Sequence, residues 1–136
     1  MSTPETMDTI KFFMEDHIIS VNSESSVKET IQVMAEKKIG AILVSNDKDY
    51  VGIFTETDLL RKVVAVEADT QAVQIKDVMS QPLATIDMNS TMVAAFVIMQ
   101  QKNLRHLAIT DKKQVVGILS IKDIANYYVN KFRPKK

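Results

Sequence analysis

The feature that most constrains this chain is that it contains one segment twice. Shifted against itself by 65 residues, Met14 to Leu60 lies on Met79 to Ala125 without a gap. Nine of those 47 positions are identical, among them Met34/Met99, Gly52/Gly117, Ile53/Ile118 and Asp58/Asp123. Others keep their character: Ser20/Thr85, Val21/Ile86, Ile39/Leu104, Val44/Ile109 and Thr55/Ser120. Ungapped agreement of the hydrophobic pattern over such a length makes the chain two copies of one unit. A unit of this size is too small to bury a sufficient core alone, so two stacked copies are expected to share one.

Each copy reads as strand, helix, strand, strand, helix, which sets the fold class as mixed α/β with two pseudo-symmetric β-α-β-β-α repeats. In the first copy Ile18 to Val21 forms a short apolar strand. Ser26 caps the next helix, with Glu29 three residues on as in a capping box. Val27, Ile31 and Met34 recur at helical spacing and give that helix one buried stripe. Ile39 to Val44 is continuously apolar, as in a strand buried on both faces. Asn46 to Asp49 turns the chain into Tyr50 to Phe54, and a helix begins near Glu56. The expected boundaries are an N-terminal helical extension over 1–13, starting at Thr3-Pro4, and a first repeat over 14–65. A linker and lead-in helix over 66–78, a second repeat over 79–130 and a solvated basic tail over 131–136 complete the chain.

Composition narrows the function classes. Hydrophobic residues make up 46% and charged residues 25% of the chain, the balance of a globular domain. Seventeen basic residues equal seventeen acidic ones, so a general polyanion binder is not expected and specific nucleic acid falls away as a partner. The longest unbroken apolar run, Met92 to Met99, falls well short of the roughly 20 residues a membrane span needs, and no membrane partner is expected. Met1 to Glu5 shows no basic region leading into an apolar stretch, which makes the cytoplasm the expected location. Cysteine is absent. That removes disulfides, thiolate nucleophiles and cysteine-based zinc sites, and two histidines leave little material for a metal centre.

Each copy places Gly-Ile-(Phe/Leu)-(Thr/Ser)-x-x-Asp where its third strand turns into its last helix, at Gly52 to Asp58 and Gly117 to Asp123. The plain reading is a capping box, hydroxyl and carboxylate together satisfying the free N–H groups of a helix start. The sharper reading uses the same geometry. A helix N-terminus with a hydroxyl beside it suits a phosphate, and a carboxylate one turn on can accept the hydroxyls of a ribose. Duplication at equivalent points favours the sharper reading.

The repeated unit resembles a tandem pair of cystathionine-β-synthase (CBS) domains. The resemblance rests on Ile75-Lys76-Asp77-Val78-Met79 leading into the second copy and on Asn103-Leu104-Arg105-His106-Leu107 opening its middle strand. It rests also on Gly-x-x-(Ser/Thr)-x-x-Asp closing each copy. Little lies outside the pair, so the chain resembles a stand-alone CBS protein, with the repeats packed as one CBS-pair module. The resemblance implies two clefts between the repeats that take adenosine-containing ligands: AMP, ADP, ATP, NAD or S-adenosylmethionine, acting as regulators rather than catalytic cofactors. Asp58 and Asp123 would hold ribose, and Thr55 and Ser120 would contact phosphate. The Asp123 cleft would be walled by Ile19, Ile39, Gly40 and Ile118, and the Asp58 cleft by Ile53, Ala84 and Leu104.

The two clefts are unequally equipped. Arg105, His106 and Lys122 would converge on the Asp123 cleft, and their counterparts Gly40, Ala41 and Thr57 carry no charge. Many stand-alone members carry arginine at the position of Thr57. The Asp123 cleft is therefore expected to hold phosphorylated ligand more tightly, leaving the Asp58 cleft weak, empty or filled by a less charged molecule. Met92 to Met99 has no polar face, so its helix is expected to be buried all round. One repeat pair is thin, so full burial calls for a second chain, and with the dimers common among CBS pairs this implies a homodimer. The resulting expectation is a regulatory, non-enzymatic module whose occupancy changes conformation or binding to a protein partner. The alternative is a ligand-independent protein–protein adaptor in which both motifs only cap helices. No ordered Ser/His/Asp set, phosphate loop or metal cluster points to an enzyme.

Overall fold

In the computed structural model, which describes residues 8–133, the chain forms two compact units. One is built from residues 19–83 and contains Asp58. The other joins residues 8–18 to residues 84–133 and contains Asp123. The expected helix at Thr3-Pro4 and the end of the basic tail lie outside the described residues. Lys131, placed in that tail by the sequence, is instead the last residue of a helix.

The Asp58 unit runs β1 (Ser20–Asn22), α1 (Val27–Lys37), β2 (Ala41–Asn46), β3 (Asp49–Thr55) and α2 (Glu56–Asp58). Helix α2 continues as a π-helical stretch over Leu59–Val64. The Asp123 unit runs β4 (Thr85–Asp87), α3 (Met92–Lys102), β5 (His106–Asp111), β6 (Gln114–Ser120) and α4 (Ile121–Lys131). Each unit has a three-stranded sheet whose first strand pairs parallel with the middle one, which pairs antiparallel with the third. A helix between the parallel strands supplies the crossover such a pair requires. The β-α-β-β-α repeat expected from the sequence is therefore the fold.

Local chemistry explains the boundaries. Ser26 Oγ accepts from Glu29 N–H at 3.0 Å, and Glu29 Oε1 accepts from Ser26 N–H at 3.0 Å, closing the expected capping box on α1. On α3 only one half exists: Thr91 Oγ1 accepts from Ala94 N–H at 3.1 Å, and alanine has nothing to return. Both helices stop at a left-handed residue, Lys38 at φ 58° and Asn103 at φ 54°.

The cores are duplicated in register. Val27, Met34, Ile42, Val44 and Phe54 are buried in the Asp58 unit, and Met92, Met99, Leu107, Ile109 and Leu119 in the Asp123 unit. Fully burying side chains of this size contributes about 1.5–3 kcal/mol each. The lead-in segments go where chain order does not suggest. Ile75, Val78 and Met79 complete the core of the Asp58 unit, preceding the second repeat in sequence but packing on the first. Ile10 enters the Asp123 unit in the same way. Each lead-in then crosses a third strand, with Ser80 exchanging backbone hydrogen bonds with Ile53 (2.8 and 3.0 Å) and Glu15 with Ile118 (both 2.9 Å).

That crossing explains the glycine of each motif. A Cβ at Gly52 would lie 2.6 Å from Met79 Sδ and 2.8 Å from the Ser80 carbonyl oxygen. At Gly117 the matching distances are 2.8 Å to Met14 Sδ and 2.9 Å to the Glu15 carbonyl oxygen. Only a residue without a side chain lets the lead-in backbone approach so closely.

Within the single chain, helix α3 is buried along one stripe only. Met92, Ala95 and Met99 are buried, but Val93 is 53% exposed, Phe96 37% and Val97 43%. Its own unit offers one packing surface, which covers one stripe only.

Candidate functional site

The Asp123 unit gathers its polar candidates at one end of its sheet. In the β5–β6 register His106 lies opposite Ser120, and Ile121 N–H donates to the Arg105 carbonyl at 2.8 Å. Arg105, His106, Ser120, Lys122 and Asp123 therefore share the sheet end where α4 begins. Arg105 and Lys122 are exposed, while His106, Ser120 and Asp123 are half-buried. Helix α4 starts with a capping box: Ser120 Oγ accepts from Asp123 N–H at 3.0 Å, and Asp123 Oδ2 accepts from Ser120 N–H at 2.9 Å. Asp123 Oδ1 accepts no hydrogen bond among the described residues and is open to solvent. The Ser120 hydroxyl has likewise not donated its proton.

The Asp58 unit repeats the capping box with every valence filled. Asp58 Oδ2 accepts from Thr55 N–H at 3.0 Å and from Thr55 Oγ1 at 3.2 Å. Its Oδ1 accepts from Ser80 Oγ at 2.8 Å and pairs with Lys62 Nζ at 3.0 Å. Asp58 is only 5% exposed. A carboxylate offers about four lone-pair sites, so Asp58 is saturated by its own unit.

The charge at the two helix starts also differs. Glu56 occupies the position of Ile121, and its carboxylate lies against Gly40, the counterpart of Arg105: a Cβ there would be 2.5 Å from Glu56 Oε1. Thr57, like Lys122, is exposed. An anion near Ser120 meets Arg105 and Lys122, whereas an anion near Thr55 meets Glu56.

The expected apolar wall residues divide between the units. Ile19, Ile39, Gly40 and Ile53 are half-buried in the Asp58 unit, and Ala84, Leu104 and Ile118 half-buried in the Asp123 unit. Lys62 and Ser80 were missed by sequence reasoning. Lys62 sits four residues after Asp58, a spacing that signals an ion pair on a helix. Ser80 carries no such signal, being 22 residues from Asp58.

Two repeats of one α/β unit, each closing on a capped Thr/Ser-x-x-Asp helix start, define the class of this protein as a duplicated α/β module. Residues 10–65 and 75–130 each match the CBS domain family, and the chain belongs to it. It is 33% identical over 109 residues to an uncharacterized protein of Methanopyrus kandleri, covering 79% of this chain but only 56% of that one. The CBS domain-containing protein YhcV of Bacillus subtilis is 28% identical over 119 residues, covering 88% of this chain and 84% of YhcV. A solved CBS-domain protein from Burkholderia ambifaria superposes with a TM-score of 0.83 at 29% identity, covering 88% of each chain. CBS pairs are generally regulatory, ligand-binding modules rather than catalysts. Among the described residues no helix is long and apolar enough to cross a membrane.

Proposed function

We propose that this chain is a regulatory CBS pair that holds an adenosine-containing ligand (AMP, ADP, ATP, NAD or S-adenosylmethionine) at Asp123. The observation that carries the reading is the uncommitted half of the Asp123 capping box. One carboxylate oxygen is open and one hydroxyl proton is undonated, at a helix N-terminus flanked by Arg105, His106 and Lys122. The oxygen suits ribose hydroxyls, and the helix start with its cations suits phosphate. Occupancy shifts conformation or binding to a protein partner, to the extent that the ligand prefers one state. The exposed Val93, Phe96 and Val97 of α3 support a homodimer that buries this face.

The test is ligand release followed by thermal shift. Purified protein is denatured and released small molecules are identified by mass spectrometry. AMP, ATP, NAD and S-adenosylmethionine are then added to the wild type and to Asp123→Ala. A true ligand at 100 times Kd stabilises the wild type by about 2.7 kcal/mol, and Asp123→Ala loses that gain. No release and no shift with any of the four would replace the sensor with the ligand-independent adaptor.

A further inference from the structure

We propose that Lys62 and Ser80 are a built-in occupant of the Asp58 carboxylate, a lock that keeps this second site closed to nucleoside. The proposal rests on the adenosine-binding reading of the Asp123 site and names the residues that set the two sites apart.

Four donors fill Asp58: the Thr55 amide and hydroxyl, the Ser80 hydroxyl and the Lys62 ammonium. Among the described residues Asp123 accepts one bond, from the Ser120 amide. Both added donors at Asp58 are specific to that copy. The 65-residue shift puts Tyr127 at the position of Lys62, and the Tyr127 hydroxyl accepts instead from Lys131 Nζ at 3.1 Å. It puts Glu15 at the position of Ser80. Glu15 crosses its strand as Ser80 does, but its carboxylate accepts from His17 N–H at 2.9 Å and has no proton to offer.

The lock is built to open. The Lys62 side chain is 43% exposed, so its ammonium can turn out to water, but the buried Asp58 then loses a charged hydrogen bond that a ligand hydroxyl must replace. It stands on the π-helical stretch of Leu59–Val64, where Ala65 N–H reaches back to the Leu60 carbonyl at 2.9 Å. Such stretches recur at functional sites. Lys62 Nζ also contacts the Met79 carbonyl at 3.4 Å, so it ties the lead-in segment to the Asp58 helix start. A ribose can engage Asp58 only by displacing Lys62 and Ser80. Once they are displaced, Glu56 disfavours phosphate, so the opened site takes an uncharged nucleoside.

Adenosine is titrated into 15N-labelled wild type and Lys62→Met, and the amide signals of Thr55 and Asp58 are followed separately from those of Ser120 and Asp123. Release of a charged hydrogen bond is expected to tighten binding at Thr55 and Asp58 by about tenfold or more in Lys62→Met. Adding Asp58→Ala to that variant should abolish the response. Lys62→Gln and Ser80→Ala serve as second variants, with dispersed amide spectra as the check on folding. Thr55 and Asp58 signals that stay still in every folded variant overturn the lock, as does equal binding there in the wild type. Silence at Ser120 and Asp123 sinks the adenosine reading of that site alone, because the lock is judged only at Thr55 and Asp58.

Discussion

The Asp58 and Asp123 helix starts share a backbone plan, a glycine, a hydroxyl and an aspartate, yet one is chemically closed and the other half open. In the Asp58 unit the hydroxyl proton, both carboxylate oxygens and a nearby cation are committed to one another. In the Asp123 unit the box caps its helix and, among the described residues, leaves one oxygen unengaged. A duplicated motif therefore does not duplicate the bonding around it. What separates the two is the residue four positions down the helix and the residue delivered by the crossing segment, neither of which belongs to the motif.

The largest test of this contrast is truncation of each aspartate in ligand-free protein. Asp58→Ala removes the carboxylate half of a capping box and strands Ser80 and Lys62, and should cost about 2 kcal/mol. Asp123→Ala removes only the carboxylate half of its capping box and should cost about 1 kcal/mol. Chemical denaturation measures both, and equal costs would erase the distinction between a saturated and a half-open carboxylate.

A smaller effect separates the caps of α1 and α3. Ser26→Ala should cost about 1 kcal/mol, as should Thr91→Ala at neutral pH, but only the first cap responds to acid. The Ser26 backbone N–H, then its hydroxyl, hold the Glu29 carboxyl below its ordinary value of 4.5. A lowered folded-state pKa gives stability that is complete above the unfolded value and lost as pH falls through the folded one. Glu29→Gln should therefore lower the melting temperature at pH 7, and its deficit should vanish at pH well below 4.5. Ala94 gives α3 no such dependence. A deficit that persists in acid would mean Glu29 acts through packing rather than charge.

The smallest effect concerns an attachment that only the Asp123 unit has. Lys131 Nζ pairs with Asp8 Oδ2 at 2.9 Å and holds the N-terminal segment to the last helix. A hydrogen bond from Tyr127, then one from Lys131, lower the Asp8 carboxyl from 3.8, while Asp8 and then Tyr127 raise the Lys131 ammonium. By the same sign, this contribution is present above the ordinary carboxylate range and fades as pH falls through the lowered value. Asp8→Asn should give a slight fall in melting temperature at pH 7 and none in strong acid. The exposed setting keeps it small, and a large fall would show that the pair governs the docking of the whole segment.

Much of this molecule was legible because its signals are local. The capping boxes need residues three apart, and Ser26, Thr55 and Ser120 made them as expected. Burial of α3 is legible only in part: Met92, Ala95 and Met99 are covered within the unit, whereas Val93 and Val97 stay exposed in the single chain, because covering them takes a surface that the chain's own periodicity does not describe.

The sequence by itself determined the repeat, the order of elements within it, and the helix starts, since periodicity and capping depend on neighbours along the chain. Only the tertiary structure decided which repeat each lead-in joins. Ile10 and Ile75 are equivalent residues in equivalent segments, and a repeat pattern cannot say which of two matching grooves receives them. That choice brings Ser80 to Asp58 and Glu15 to the strand before Asp123. The part of the asymmetry that Ser80 supplies thus rests on a contact between residues distant in sequence, where propensity and spacing carry no information and packing alone chooses.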